Sequence, residues 1–326
     1  MLRTKNPNVV EGECSKCKRR AARPSAESVE PQQLFAQGIR SPSAYFERKI
    51  LVGKTLDFDF CLREGFPIVA WLNTLDLGHL LTINLPYYPD LMKELYVNFG
   101  FSTTVSLSTS VQGKHIMMNY PTLASILSIP CDGSRGWSNR NWVEKDGFGK
   151  EECVLLLFEE NAQVVAKMYS RNLRFDYRFL HTAVETHILP KAGGFDEVTH
   201  MKAFTMIHII SCRRINMPLL IFNHMEEMQY RENATLPYGN IVTKTLMHYG
   251  GYLNEEVHHA LQNTDKSGKG TLGRMAFKKH KRLGTWIPKD EDSYRVSGEE
   301  EEAQETQDQE EIASQVERRL CDPLGV

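Results

Sequence analysis

A pair of cysteines near the start of the chain has half of the spacing that a zinc site needs. Cys14 and Cys17 are separated by two residues, as in many structural zinc sites. Tetrahedral zinc takes four ligands, and the next Cys or His residues along the chain are Cys61 and His79, in a different kind of sequence. We therefore interpret Cys14 and Cys17 as a free pair and predict no bound metal.

Two further motifs resemble ligand-binding loops but lack required residues. Residues 265–270, Asp-Lys-Ser-Gly-Lys-Gly, have the glycine of a calcium loop at the sixth position. However, Lys269 and Ala276 occupy the fifth and twelfth positions, where oxygen ligands are required. Gly53-Lys54-Thr55 matches the end of a phosphate-binding loop, whose first glycine would fall at Arg48. Because neither motif is complete, we predict no cofactor and no small-molecule ligand.

The other residues that could take part in catalysis or metal binding are histidines and carboxylates spread through the chain. His181 and His187 flank Glu185, but their spacing is not the i, i+4 pair of a zinc protease. A transposase that uses two metals needs about three carboxylates on rigid strands. The candidates for such a set are Asp57 and Asp59, near a possible strand, and Asp176, Glu185, Asp196 and Glu197 in the predicted helical region. Because the sequence predicts few strands, we interpret these as surface carboxylates and favour a protein that is not an enzyme, with no catalytic residue assigned.

Two clusters of positive charge are candidates for nucleic-acid contact or nuclear import. The residues of these clusters are Lys16, Lys18, Arg19, Arg20 and Arg23 near the start, and Lys278, Lys279, Lys281 and Arg282 near the end. Attraction to phosphate needs only clustered positive charge and does not depend on base sequence. The formal net charge of −2 hides this distribution. Residues 1–24 contain seven Lys/Arg against two Glu, whereas residues 289–326 contain four against thirteen Asp/Glu.

The elements that must position these residues follow from the apolar pattern. Pro89 and Asp90 begin a helix whose apolar residues, up to Phe99, lie on one face. Residues 105–111 alternate apolar and polar side chains, as in a half-buried strand, and Gln112-Gly113 can turn the chain into a second strand, 114–118. A short helix then begins at Pro121. The pattern beyond position 150 predicts almost only helices: 151–170, 177–189, 198–212, 217–231, 238–249 and 254–262.

The sequence thus predicts a mainly α fold, a multi-helix globular domain with one small β hairpin. The domain spans residues 42–288, with a candidate subdomain junction at the glycine-rich stretch 131–149. Residues 1–41 form a disordered basic arm and residues 289–326 a disordered acidic tail, because both are too polar to offset the entropy of ordering.

Composition indicates an intracellular protein. No stretch approaches the roughly 20 apolar residues that a membrane helix requires, and the N-terminus lacks the apolar segment of a secretory signal. The seven cysteines are an odd number with no disulfide spacing. We therefore expect a reducing compartment, with the nucleus as a candidate location and no membrane partner.

Several short motifs between Tyr45 and Trp286 resemble those of a family of plant transposon proteins, which are found alone and within retroelement polyproteins. The motifs are Asn172-Leu173-Arg174 with Arg178-Phe179-Leu180-His181, Ile188-Leu189-Pro190-Lys191, Asp196-Glu197-Val198-Thr199, Asn216-Met217-Pro218-Leu219-Leu220-Ile221, Leu236-Pro237-Tyr238-Gly239, and the hairpin-plus-helix segment from Val111-Gln112-Gly113-Lys114 through Leu127. The region is similar in style to the plant mobile domain. The resemblance implies a mobile-element origin and supplies no catalytic residues.

Three interpretations of function follow from the sequence. The first is a non-enzymatic binding or structural module that contacts nucleic acid or a second copy of itself. The second is an active or decayed transposase, which requires the carboxylates named above to converge on one point. The third is a transposon-derived reading frame without a selected role.

Overall fold

The computed structural model describes residues 46–101, 106–135, 149–159, 162–163, 167–193, 196–231, 234–282 and 284–289. All of them fall in one contact unit, Arg40–Val326. The predicted basic arm, the acidic tail after Lys289 and most of the candidate junction lie outside the described residues. None of the helices in the described ranges is long and apolar enough to cross a membrane.

Helices supply most of the regular structure in these ranges. In chain order they are α1 (Phe58–Arg63), α2 (Ile68–Thr74), α3 (Gly78–Leu81), α4 (Pro89–Val97), α5 (Tyr120–Leu127), α6 (Lys150–Leu157), α7 (Phe175–Ala183), α8 (His200–Ile210), α9 (Met217–Tyr230), α10 (Gly239–His248) and α11 (Lys269–Arg274). A π-helix, Val184–Ile188, continues α7, and 3-10 turns occupy Ser170–Asn172 and Asn263–Asp265.

The prediction of a mainly α fold with one hairpin is wrong, because the described residues contain three small sheets. The strands are β1 (Thr55–Leu56), β2 (Gly100–Phe101), β3 (Ser106–Val111), β4 (Lys114–Asn119), β5 (Lys266–Ser267), β6 (Phe277–Lys279) and β7 (Trp286–Pro288). β1 pairs with β5 in parallel, β2-β3-β4 form an antiparallel sheet, and β6 pairs with β7 antiparallel. The fold is therefore a mixture of α and β structure.

The predicted hairpin is present and its register follows the expected alternation. Along β3 the odd-numbered residues are buried and the even-numbered ones are partly exposed. Val111 pairs with Lys114 across a two-residue turn. Gln112 and Gly113 have φ angles of 52° and 72°, as in the left-handed turn that matches the twist of an antiparallel pair. This turn fixes which face of the hairpin packs on the core.

Most of the predicted helices are present, and α8 lies at the centre of the packing. All eleven residues of α8 are buried, including Lys202 and two histidines. α8 packs against α2, α6 and α7. The helix that begins at Pro89 is also present as α4, with Leu91, Met92, Leu95 and Tyr96 buried.

Two predicted helices differ from the structure. In segment 151–170 the first helix ends at Leu157, because Phe158 leaves it to bridge with Leu173. Segment 254–262 has no helix at all. There the backbone of His259 exchanges two hydrogen bonds with Tyr87, at 2.9 and 3.1 Å, so tertiary pairing overrides the local helical tendency.

Candidate functional site

The two incomplete loop motifs meet in the structure, and their residues make structural contacts. The parallel pairing of β1 with β5 aligns Thr55 with Lys266. The Lys54 ammonium group lies 2.7 Å from the Asp265 carboxylate. The same carboxylate accepts a hydrogen bond from the Gln262 amide at 2.9 Å. These contacts fasten the C-terminal part of the described chain to the residues before α1.

The segment that follows, residues 266–289, contains eight Lys/Arg and no Asp or Glu. It comprises β5, α11, β6 and β7, and we call it the basic module. The predicted cluster of Lys278, Lys279, Lys281 and Arg282 lies within it, on β6 and at the following turn. The other predicted cluster, Lys16, Lys18, Arg19, Arg20 and Arg23, lies outside the described residues.

Aromatic contacts hold the basic module against the helices. The Trp286 ring packs edge-on against Phe60 of α1, with centroids 6.0 Å apart. The Phe277 ring lies 4.7 Å from that of Phe175 at the start of α7, and the Arg178 guanidinium lies 5.4 Å from the centroid of the Phe277 ring. Because these apolar side chains face the body, most of the basic side chains of the module are exposed.

The Glu64 carboxylate binds the hairpin that β6 and β7 form within the basic module. It accepts hydrogen bonds from the Lys279 ammonium group at 2.6 Å and from the Trp286 indole N–H at 3.0 Å. The hydrogen bond from Lys279 lowers the pKa of Glu64, so the carboxylate is ionised at neutral pH. A second carboxylate, Asp57, lies 3.2 Å from Lys266. Two of the eight positive charges are thereby paired with the body.

Five other basic residues of the module are exposed and form no ion pair within the described ranges. These residues are Lys269, Arg274, Lys281, Arg282 and Lys289. Where they form hydrogen bonds, the acceptors are neutral: the Lys289 ammonium group donates to the Gly273 carbonyl at 2.8 Å. Such bonds orient a side chain without cancelling its charge. Within the described residues, the module therefore presents five basic side chains without a carboxylate partner.

A buried polar cluster that the sequence did not reveal lies between the π-helix and α8. The Lys202 ammonium group of α8 contacts the Glu185 carboxylate and donates to the Glu197 carbonyl at 2.8 Å. His181 Nδ1 lies 3.8 Å from the same carboxylate. Burial raises the pKa of Glu185, an effect that the Lys202 charge opposes. Burial also lowers the pKa of Lys202 and lowers that of His181 to about 3.

The geometry of this cluster favours a structural role over catalysis. π-helical segments are rare and often occur at functional sites, but here the three side chains are at most 4% exposed. No substrate can reach a group that is closed to solvent in this way. The pair links the π-helix, the loop before α8 and α8 itself. The available signal was a lysine in a helix whose other residues carry no charged carboxylate or ammonium group and are mostly apolar, because a buried ammonium group requires a partner.

A second buried network joins α9, α10 and the π-helix. The Tyr238 hydroxyl donates to the Ile188 carbonyl at 2.7 Å. The hydroxyl has only this one proton to donate, so it must accept the hydrogen bond with His224. His224 Nδ1–H therefore donates to the hydroxyl oxygen at 2.8 Å. Burial lowers the pKa of His224 to about 3, so the ring is neutral. Both side chains are enclosed, and the network serves the packing of the core.

The carboxylates that a transposase would need do not form a metal site in the described part of the chain. There, no three Cys, His, Asp or Glu side chains are grouped so that they could hold a metal ion. Asp57 caps α1 by accepting from the Phe60 amide at 3.0 Å. Asp59, Asp176 and Asp196 are exposed.

Comparison with known protein families gives a match over the middle of the chain. The family model described as "Putative plant retrotransposon-related domain" matches residues 73–250, which is more than half of the 326-residue chain. The match includes the buried cluster and the Tyr238 network, whereas the basic module follows it. No curated protein and no solved structure showed significant similarity to the chain.

Proposed function

The chain belongs to the plant retrotransposon-related domain family, and we propose that it acts as a non-enzymatic module that binds the phosphate backbone of nucleic acid through residues 266–289. The observation that carries this proposal is the charge of the basic module, eight Lys/Arg with no Asp or Glu. Polyanion binding draws its free energy from the release of counterions, so clustered charge is sufficient.

The attachment of the module supports the same function. Trp286 and Phe277 pack on α1 and α7, so the charges are displayed on a folded surface. Less side-chain and backbone freedom is then lost on binding than for a disordered basic segment. The donors available to phosphate are ammonium and guanidinium groups, and no aromatic ring of the module is exposed for base stacking. We therefore expect binding that is independent of base sequence.

Salt dependence measures the number of phosphate contacts. If the five exposed, unpaired basic residues each neutralise one phosphate, the slope of log K against log salt is about −4.5 for duplex DNA. The test is fluorescence anisotropy of the full chain with two 25-base-pair duplexes of unrelated sequence, between about 50 and 200 mM salt. We expect equal affinity for both duplexes and a steep loss with salt.

A charge-matched pair of variants locates the contact. Lys281→Gln/Arg282→Gln removes two charges from the module and should reduce the magnitude of the slope by about 1.8. Lys93→Gln/Lys244→Gln removes two charges from α4 and α10 and should change it much less. Affinity that is insensitive to salt rules out the proposed function, as does a failure to bind either duplex that persists when the residues after Lys289 are removed. Equal losses in the two double variants rule out the module as the contact.

A further inference from the structure

We infer that the acidic tail, residues 290–326, binds the basic module of the same chain and competes with nucleic acid for it. This inference rests on the proposed function, because it concerns the regulation of that surface. The tail contains thirteen Asp/Glu and three Lys/Arg. Its charge is thus opposite to that of the module and exceeds it in number.

Lys289, the residue that precedes this segment, is held against the module by two hydrogen bonds. The Lys289 amide donates to the Ala276 carbonyl at 2.8 Å, and the Lys289 ammonium group donates to the Gly273 carbonyl at 2.8 Å. The next three residues are Asp290, Glu291 and Asp292. The first carboxylates of the tail therefore follow directly after a residue held against the end of α11.

The densest acidic run can also reach the module. Glu299–Glu302 are four consecutive glutamates that begin ten residues after Lys289, and ten extended residues span at most about 35 Å. The turn of the hairpin, at Arg282, is seven residues from Lys289, or about 23 Å along an extended strand. A tether of this length gives an effective concentration on the order of millimolar, so weak contacts suffice.

Among the described residues, the carboxylates of the body leave five basic side chains of the module without an ion pair. Glu64 and Asp57 pair with Lys279 and Lys266, and Asp265 pairs with Lys54. Lys269, Arg274, Lys281, Arg282 and Lys289 face solvent. A tethered polyanion with thirteen carboxylates supplies the counter-charge that the body lacks, and nucleic acid must displace it.

Removal of tail charge tests the competition against a charge-matched control. We expect the chain that ends at Lys289 to bind duplex DNA about tenfold more tightly than the full chain at about 50 mM salt, with a smaller difference at about 200 mM because of screening. Glu300→Gln/Glu301→Gln/Glu302→Gln in the full chain should tighten binding several-fold. Asp90→Asn/Glu151→Gln/Glu255→Gln removes the same charge from exposed positions on the body and should have little effect.

A synthetic peptide of residues 290–326 tests the contact itself. It should bind the chain that ends at Lys289, lose affinity with salt, and bind the Lys281→Gln/Arg282→Gln variant more weakly. A peptide that binds both proteins equally does not contact the hairpin turn, and the inference fails. Equal DNA affinity of the full and shortened chains also overturns the inference while leaving the proposed function intact. Absence of DNA binding by both chains overturns the proposed function, whatever the peptide does.

Discussion

The Lys202 ammonium group and the Glu185 carboxylate form an ion pair whose side chains are only 4% and 1% exposed. The pair spans the π-helix and α8, and the Glu197 carbonyl accepts a further hydrogen bond from Lys202. The pair lies within residues 73–250, the region that the family model matches, and it is buried in the core. Its energetic role follows from the cost of leaving either charge alone.

Lys202→Met should therefore be strongly destabilising. The substitution preserves most of the side-chain volume but leaves Glu185 buried without its partner, a loss of about 3–5 kcal/mol. Urea unfolding followed by circular dichroism measures the change. The control is Lys244→Met at a partly exposed position on α10, which should change stability by no more than about 0.5 kcal/mol.

A double variant separates the loss of the pair from the loss of packing. In Glu185→Leu/Lys202→Met no charge remains buried, so we expect about 2 kcal/mol or more of the single-variant loss to be recovered. If the double variant is less stable than Lys202→Met alone, the ion pair is not the reason that Lys202 matters.

Three buried histidines predict a loss of stability in mild acid. Burial lowers the pKa of His181 to about 3, of His187 to about 4 and of His224 to about 3, against about 6.5 in an unfolded chain. As the pH falls below about 6.5, these histidines therefore bind protons in the unfolded chain but not in the folded chain. The free energy of unfolding falls as pH decreases below about 6.5, by about 4 kcal/mol per pH unit for the three together. Glu185, with its raised pKa, opposes this trend but is a single group.

Urea midpoints at about pH 7.5, 6 and 5 measure this dependence. His187→Gln keeps a donor for the Ala183 carbonyl, which His187 Nδ1 contacts at 3.1 Å, and should remove about a third of the slope. His115→Gln, at an exposed position on β4, is the matched control. An unchanged slope in His187→Gln would show that this ring is not excluded from protonation by burial.

Tyr238→Phe should destabilise the junction of α9, α10 and the π-helix. It removes one hydroxyl and leaves two buried groups without a partner, the Ile188 carbonyl and His224 Nδ1. Orphaned buried polar groups cost about 1–3 kcal/mol. The control is Tyr252→Phe, because the Tyr252 side chain is 76% exposed. A midpoint shift in Tyr238→Phe no larger than that in the control would contradict the assignment of this network.

Several of the motifs on which the family resemblance rests lie at junctions between helices. Tyr238 has a φ angle of 67°, and a Cβ on the following Gly239 would lie 2.6 Å from the Tyr87 side chain. Asn216 caps α9 by accepting from the Leu219 amide at 3.1 Å, and its side-chain amide donates to the Cys131 carbonyl at 2.6 Å. These residues determine how the chain turns between helices. The motifs that contain them can therefore be specific to the family without indicating a reaction.

Local periodicity predicted the elements that are regular over several residues. α4, α8 and the β3–β4 hairpin each have a repeat of apolar side chains long enough to distinguish a helix from a strand. β1, β5, β6 and β7 are two or three residues long and have no period to detect. β1 pairs with β5 across about two hundred residues of sequence, and no local pattern encodes such a partner.

The candidate surface could be predicted only in part. The sequence shows where basic residues are clustered, but it does not show which of them are neutralised by carboxylates from distant segments. The cluster at Lys278–Arg282 was evident from composition. That Glu64 neutralises Lys279, and that Lys269 and Arg274 contribute to the same module, depends on contacts between distant segments. The buried pair of Glu185 and Lys202 was likewise hidden, since its members are seventeen residues apart.

Glu64→Gln should strengthen the binding of nucleic acid. The carboxylate holds Lys279 at 2.6 Å, and the amide oxygen of Gln can still accept from the Trp286 indole while removing the opposing charge. Lys279 then becomes available to phosphate, so we expect a several-fold gain in affinity at about 50 mM salt and a salt slope steeper by about 0.9. Asp90→Asn, a charge-matched change at an exposed position of α4, should leave the slope unaltered. If Glu64→Gln binds duplex DNA with the slope of the unmodified chain, Lys279 does not contact the phosphate backbone.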